Sequence, residues 1–214
     1  MAITKKHNIY RQKFLNIQRL LFPLFRRREE VRNGLINNPG KMFKVGEKVS
    51  HPVFGVGDIK KIEDKFFLGR KQKYYILELV NNGMTLMIPV QKAKEIGLRN
   101  IIPPDRIKEV LNVLADKVDN NIEGNYKNRI KTQSELLSSG DILKVAQVVK
   151  NYIYLNMVDK LSATEKNLYE RARKILESEI VAASNLESNK VRFMIKEAVN
   201  KSIINRVQRK NVGY

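Results

Sequence analysis

The residues best suited to catalysis form only weak groups in this 214-residue chain. Four of them have the acid-then-lysine order of a magnesium-dependent nuclease site: Asp58, Glu63, Asp64 and Lys65. They fall beside a glycine turn and at a predicted strand end and loop, where a solvated turn is by far the simpler explanation of such a cluster. The histidines, His7 and His51, are 44 positions apart, and neither has a carboxylate or a nucleophile at a spacing that implies pairing. These residues therefore predict no catalytic site.

The absence of cysteine narrows the chemistry further. It excludes disulfides, a thiol nucleophile and zinc or iron–sulfur centres held by cysteine. The sequence also lacks a P-loop, a dinucleotide-binding fingerprint and a serine-nucleophile motif. We therefore predict a protein that is not an enzyme and that uses no metal, cofactor or small-molecule substrate.

Basic residues are the strongest chemical signal in the chain. The net charge is +19, from 41 Lys or Arg and 22 Asp or Glu, and it divides into +7 for residues 1–40, +5 for 42–102 and +6 for 103–214, with Lys41 as the remainder. An excess that is spread over every segment suits a protein that lies along a polyanion, because each neutralised phosphate releases counterions. Nucleic acid is thus the leading partner, although an AT-rich genome also inflates the lysine content.

The apolar segments are too short for a membrane span. The longest run near the N-terminus covers residues 20–25, contains Pro23 and is followed by three arginines, whereas a spanning helix needs about 20 apolar residues. The basic residues scattered through the first 20 positions do not fit a secretory signal. We expect a cytoplasmic, nucleoid-associated protein. Residues 1–32 could also lie on anionic lipid, but Pro23 and the irregular spacing argue against this.

The elements that must position the basic residues change in character along the chain. Residues 1–41 read as a basic, helical extension that ends in a linker rich in Asn, Gly and Pro. Residues 42–102 then show short β-forming runs bounded by glycines, typical of a small SH3- or Tudor-like barrel. The predicted strands are 47–52, 56–63, 73–80 and 84–89, closed by a short helix over 91–96.

After Pro103 and Pro104 the periodicity becomes helical. The predicted helices are 105–116, 126–137, 141–156, 163–183 and 189–208. Ser162 and Glu165 form a capping box, and either Ser139 or Asp141 caps the preceding helix. We expect an α+β fold in which a helical bundle domain, residues 103–185, follows the barrel, with a C-terminal helical tail over 186–214.

A specific motif opens the predicted barrel. Residues 43–59, FKVGEKVSHPVFGVGDI, resemble the pattern F-x-x-G-D-x-V-x-Y-P-x-H-G-V-G-x-I of the CarD/CdnL family of bacterial transcription regulators. A second set of motifs agrees in order and spacing: SSGDI at 138–142, VAQVVK at 145–150, LSATEK at 161–166 and RARKIL at 171–176. The resemblance covers about residues 43–183. It implies a barrel that docks on the RNA polymerase β subunit and a helical domain that contacts promoter DNA and stabilises the open complex.

The resemblance also carries over individual residues. The family's basic polymerase contacts correspond to Lys65, which keeps the charge, and to Met87, which does not. Met87 is therefore either an apolar contact or simply a methionine of the barrel surface or core. A small barrel with an exposed edge strand can extend a partner's sheet, which suits such docking.

For DNA, the family's tryptophan wedge corresponds to Tyr126, flanked by Lys127, Arg129 and Lys131. A ring of this kind can hold an opened base step in the minor groove. The i, i+2, i+4 spacing cannot place all three cations on one helical face. Lys166, four residues after the predicted cap Ser162, lies where a helix N-terminus attracts phosphate. The alternatives are a tyrosine that packs on the bundle and lysines that are merely solvated.

The sequence thus predicts a transcription regulator without catalytic activity. The alternative is a Tudor- or SH3-like RNA-binding or ribosome-associated protein, in which the barrel and the basic extension grip RNA. Such a barrel would present exposed aromatic residues on one sheet face.

Overall fold

The computed structural model describes residues 43–67, 70–119, 122 and 124–212. The predicted basic helical extension, residues 1–41, lies outside the described residues. The described part has five strands followed by five α-helices, so the predicted α+β class with a small Tudor-like domain and a helical domain is confirmed. Among the described helices, none has both the length and the apolar character that crossing a membrane requires.

The first domain is a five-stranded antiparallel sheet in the order β4-β3-β2-β1-β5. Its strands are β1 (Lys48–His51), β2 (Gly55–Phe67), β3 (Arg70–Leu79), β4 (Thr85–Pro89) and β5 (Arg99–Asn100). Apolar residues of the strands cover one face and form the core of this domain: Val49, Ile59, Tyr75, Leu77, Leu79 and Ile88. Gly83, at a φ of 67°, turns the chain between β3 and β4.

The structure corrects several local predictions in this domain. Glu63, Asp64 and Lys65 lie within β2 and pair with β3, so they do not form a turn. The segment after β4 is a 3₁₀ helix, Val90–Lys92, followed by turns rather than an α-helix over 91–96, and β5 was not predicted. His51 ends β1 and is buried, and its Nδ1 accepts hydrogen bonds from the amides of Val53 (3.1 Å) and Phe54 (3.3 Å) in the turn that follows.

The second domain begins with a 3₁₀ helix, Pro104–Arg106, and continues with long helices. These are α1 (Ile107–Ala115), α2 (Tyr126–Ser138), α3 (Ile142–Val158), α4 (Ala163–Ser184) and α5 (Ser188–Val212). The capping box of Ser162 and Glu165 is present at the start of α4. Asp141, not Ser139, caps α3 by accepting the amide of Leu143.

The core of the helical domain is continuous. The apolar faces predicted for α3 and α4 meet in it, with Val145, Val149, Ala172 and Leu176 all buried. Residues of α5 contribute to the same core: Val191, Met194, Ile195, Ala198 and Val199. The boundary at residue 185 stays a prediction, but α5 packs with the other helices rather than extending away from them.

Candidate functional site

Two helix N-termini meet at Tyr126. Asn125 caps α2, and its side-chain oxygen accepts the amides of Lys127 (2.9 Å) and Asn128 (3.3 Å). Tyr126 is the first residue of α2, and its hydroxyl lies 3.3 Å from Oγ of Ser162, the cap of α4. The tyrosine is 44% exposed, so its ring is held at the surface rather than buried in the bundle. Both helix dipoles therefore point their positive ends at this place.

Arg129 lies next to the tyrosine ring, and its guanidinium is hydrogen-bonded to other residues of the protein. Its guanidinium bonds to Oε1 of Glu165, with Nε at 2.8 Å and Nη2 at 2.7 Å, and Nη1 donates to the carbonyls of Ile122 and Gly124 at 3.1 Å each. The arginine side chain is only 10% exposed, and its guanidinium carbon is 5.8 Å from the centroid of the Tyr126 ring. This placement gives Arg129 a supporting role under the ring and leaves little of it accessible to a phosphate.

Glu165 links the two helix starts. Its Oε2 accepts the amide of Ser162 at 2.9 Å and the Ser162 hydroxyl at 2.8 Å, while Oε1 faces Arg129. Burial favours the neutral acid, but the hydrogen bonds from Ser162 and Arg129 outweigh it, so the pKa of Glu165 lies below its ordinary value. The Glu165 carboxylate is thus ionised, and its charge is balanced by Arg129. It therefore does not cancel the positive charge of the nearby helix N-termini.

The three lysines predicted to bind DNA are exposed residues of these two helices. Lys127 and Lys131 are exposed and four residues apart, so they share one face of α2, whereas Arg129 between them is turned toward α4. Lys166 is exposed in the first turn of α4, and its amide donates to the Ser162 carbonyl at 2.9 Å. Tyr126 and Lys127 lie in the first turn of α2, Lys166 in the first turn of α4, and Lys131 one turn farther along α2. We call these four residues the helix-start surface. Such a surface attracts phosphate through both its ammonium groups and its helix termini.

The two residues assigned to protein docking lie on one side of the sheet. Tyr75, Leu77 and Ile88 point into the core, so the alternate positions of β2, β3 and β4 face outward. Met87 pairs with Ile76 on that outward side and is 60% exposed, which places it at the surface and not in the core. We call this side of the sheet the outer sheet face.

Lys65 lies farther along the same face. It pairs with Gln72 across β2 and β3, and its Nζ lies 2.8 Å from Oε2 of Glu63. Bonding to Lys65 lowers the pKa of the Glu63 carboxyl. The outer sheet face therefore combines a cation with an exposed apolar residue, and β4 leaves one strand edge without a neighbour within the described sheet.

Sequence reasoning missed two features of these sites. The contact between Tyr126 and Ser162 joins residues 36 positions apart, and no local pattern signals it. The second feature is Glu179, a fully buried acid between the domains. The available signal was helical spacing, because Glu179 follows Ala172 by seven residues and Leu176 by three and so lies on the apolar face of α4.

Both domains match known family models. Residues 43–102 match the CarD-like/TRCF RID domain, and residues 109–196 match the CarD C-terminal domain. The division between the two matches falls where the sheet ends and the helices begin.

Two related proteins extend this comparison. The chain is 26% identical over 151 residues to a putative transcription factor, YdeB, of Bacillus subtilis, which covers 71% of this chain and 98% of that protein. Among solved structures, CdnLNt from Myxococcus xanthus is 39% identical, covering 31% of this chain and 94% of that one, with a TM-score of 0.26.

Proposed function

The chain belongs to the CarD-like family of transcription-associated factors, and on this basis we propose that it binds the RNA polymerase β subunit and promoter DNA together. The outer sheet face docks on the polymerase, and the helix-start surface contacts DNA. The result is a change in the stability of the open promoter complex. The family is generally without catalytic activity, which agrees with the composition of the chain.

The proposal that the chain binds DNA rests on one observation: the N-termini of α2 and α4 meet at the exposed ring of Tyr126. Phosphates on either side of a minor groove would meet Lys127, Lys131 and Lys166, while the Tyr126 ring faces the base step between them. The hydroxyl contact to Ser162 and the guanidinium of Arg129 hold the ring in place. A preorganised ring loses little conformational freedom on binding.

The polymerase part is supported by the chemistry of the outer sheet face. Met87 offers exposed apolar area and Lys65 a charge, and the free edge of β4 has backbone groups that can pair with a strand of the partner. Apolar anchors at the centre of an interface commonly dominate affinity.

The RNA-binding alternative is not favoured. A barrel that reads RNA stacks bases on exposed aromatic residues. On the outer sheet face Tyr74 is buried, and its cross-strand partners are Glu63 and Pro89. Phe66, which is 79% exposed, occupies a position of β2 that alternates with Lys65 and so belongs to the other face. The family match points the same way.

The proposal is tested by retention of the full chain on immobilised RNA polymerase β subunit. We expect retention at micromolar protein and a loss of about tenfold or more in affinity for Met87→Glu, because a carboxylate would be buried at the contact. Lys144→Glu, an exposed change on α3, is the matched control and should bind like the parent. Absence of retention of the parent protein would contradict the docking assignment.

A further inference from the structure

The sheet and the helical domain are joined through one buried carboxylate. Glu179, on α4, has a side chain that is 0% exposed. It accepts hydrogen bonds from Ser50 Oγ on β1 at 3.0 Å and from the amide of Ile102 at 3.2 Å. Both Nη atoms of Arg99, on β5, also donate to it, with Nη2 at 3.0 Å from Oε2. All of these donors come from the sheet side of the interface.

Arg99 makes a second link between the domains. Its Nε donates to the carbonyl of Gly140, between α2 and α3, at 3.0 Å. The guanidinium thus ties β5 to α4 and to the start of α3 at the same time. Because the guanidinium is a planar fork, these bonds fix orientation as well as distance.

The same interface also contains close contacts at two glycines. A Cβ built at Gly55 would lie 2.9 Å from Ser178 Oγ and 3.5 Å from the Cα of Ile175, so the start of β2 touches the backbone of α4. A Cβ at Gly140 would lie 3.3 Å from the Pro52 ring. Contacts this close restrict how the two domains can be placed relative to each other.

A buried carboxylate with several donors selects one arrangement more sharply than an apolar contact does. Apolar burial is non-directional, so an interface held only by apolar contacts tolerates small rotations of the two domains. A desolvated carboxylate that loses its donors is strongly disfavoured, which penalises every arrangement except the bonded one.

We propose that Glu179 and Arg99 are positioning residues that hold the outer sheet face and the helix-start surface in one fixed relation. This proposal rests on the proposed function, because it concerns how the two binding surfaces act together. With the domains fixed, docking on the polymerase holds the helix-start surface at one position relative to the promoter DNA. The contact with DNA then becomes an intramolecular step.

We call the bonds of Glu179 with Arg99, Ser50 and Ile102 the clamp. Helix α4 connects this clamp to the helix-start surface. Glu179 and Lys166 lie on this one continuous helix, 13 residues apart, which corresponds to roughly 20 Å of helix axis. At the other end, β1 and β5 hold the carboxylate while Met87 lies on β4, at the opposite edge of the sheet. A loosened clamp would therefore move the helix-start surface relative to the outer sheet face without altering either surface.

The fixed relation can be measured directly in the full chain. Because the chain has no cysteine, Thr85→Cys on β4 and Asn112→Cys on α1 give a clean pair of exposed sites for spin labels. We expect one narrow distance distribution in the parent and a broad one in Arg99→Gln and in Glu179→Gln. The matched control is Glu177→Gln, since Glu177 pairs with Arg173 and Arg192 inside the helical domain and should leave the distribution narrow.

Function is then compared in the same variants without labels. Affinities for the β subunit alone and for duplex DNA alone should stay within about twofold of the parent, while the effect on open-complex lifetime falls at least about fivefold because the bivalent gain is lost. Arg99→Lys, which keeps the charge but not the fork, should recover part of the effect.

Each result decides a separate point. A narrow distribution in Arg99→Gln overturns the clamp, and this variant also decides the matter if Glu179→Gln does not fold. A broad distribution with unchanged open-complex lifetime overturns the positioning role. If the parent itself has no effect on open complexes, the proposed function fails, and the distance measurement alone still accepts or rejects the clamp.

Discussion

Tyr126 occupies the position that the family resemblance assigns to a tryptophan wedge, and its ring is smaller. Its hydroxyl contacts Ser162, and the guanidinium of Arg129 lies against its ring. A tryptophan has no hydroxyl with which to make the first contact. The exposed part of the ring stays available for a base. We therefore expect the tyrosine to act as a wedge of lower stacking area but fixed orientation.

This expectation separates two roles for Tyr126. Since the ring is half exposed, Tyr126→Ala should leave the melting temperature nearly unchanged but shorten open-complex lifetime by roughly tenfold, as stacking on a base contributes about 1–3 kcal/mol. Tyr126→Trp should lengthen it. Melting curves and promoter lifetimes on both variants provide the measurement. A variant that melts early, with lifetimes unaltered after correction for the folded fraction, would remove the wedge from the account.

Arg129 and Lys131 should behave in opposite ways although both are cations of α2. Arg129→Gln leaves Glu165 buried without its guanidinium, so unfolding free energy should fall by about 3–5 kcal/mol, the range for broken buried pairs. Lys131→Gln should preserve stability and weaken duplex affinity, with a lower salt dependence. Denaturant titrations and salt-dependent DNA titrations test the pair. Equal stability loss in both variants would contradict the assignment.

At the scale of elements, local signals predicted the helices well and the strand pairings poorly. The capping box at Ser162 and the apolar face of α4 depend on residues within one or two turns, and both are confirmed. The extension of β2 to Phe67 depends on its hairpin pairing with β3, which begins at Arg70. The existence of β5 depends on Ser50, a residue of β1 that is distant in sequence. A two-residue strand such as β5 has no periodicity to detect.

The start of α4 should also respond to acid. Because the folded-state pKa of Glu165 is lowered, its contribution is fully present above the unfolded value of about 4.3 and is lost as the pH falls through the lower folded value. The stability difference between the parent and Glu165→Gln should therefore be largest near neutral pH and shrink in that acidic window. Denaturant titrations at several pH values give the difference. A gap that widens toward acid would contradict the sign.

At the scale of the whole molecule, the candidate sites depended on the resemblance more than on residue patterns. Lys127, Lys131 and Lys166 look like ordinary surface lysines in sequence, and only the fold brings the two helix starts that carry them together, through the contact between Tyr126 and Ser162. The spacing indicated that Lys127, Arg129 and Lys131 cannot share one helical face, but it did not indicate that Arg129 pairs with Glu165. The clamp at Glu179 joins residues up to 129 positions apart, which local reasoning cannot connect.

The distribution of charge leads to a prediction for the segment outside the described residues. Residues 1–40 carry +7, so deleting them should weaken duplex binding by the full chain and make the salt slope shallower, because fewer counterions are released. Fluorescence titrations at several salt concentrations test this. If affinity and slope are both unchanged, the segment serves a purpose other than DNA binding.

The central claim is that the two surfaces act together on the open promoter complex. The most direct measurement is the half-life of that complex, formed with purified RNA polymerase and challenged with a competitor, with and without the full chain. The account predicts a changed half-life with the parent protein and none with a variant that combines Met87→Glu and Tyr126→Ala, which removes one contact from each surface. Identical half-lives with and without the parent protein, at concentrations that saturate the β subunit, would contradict it.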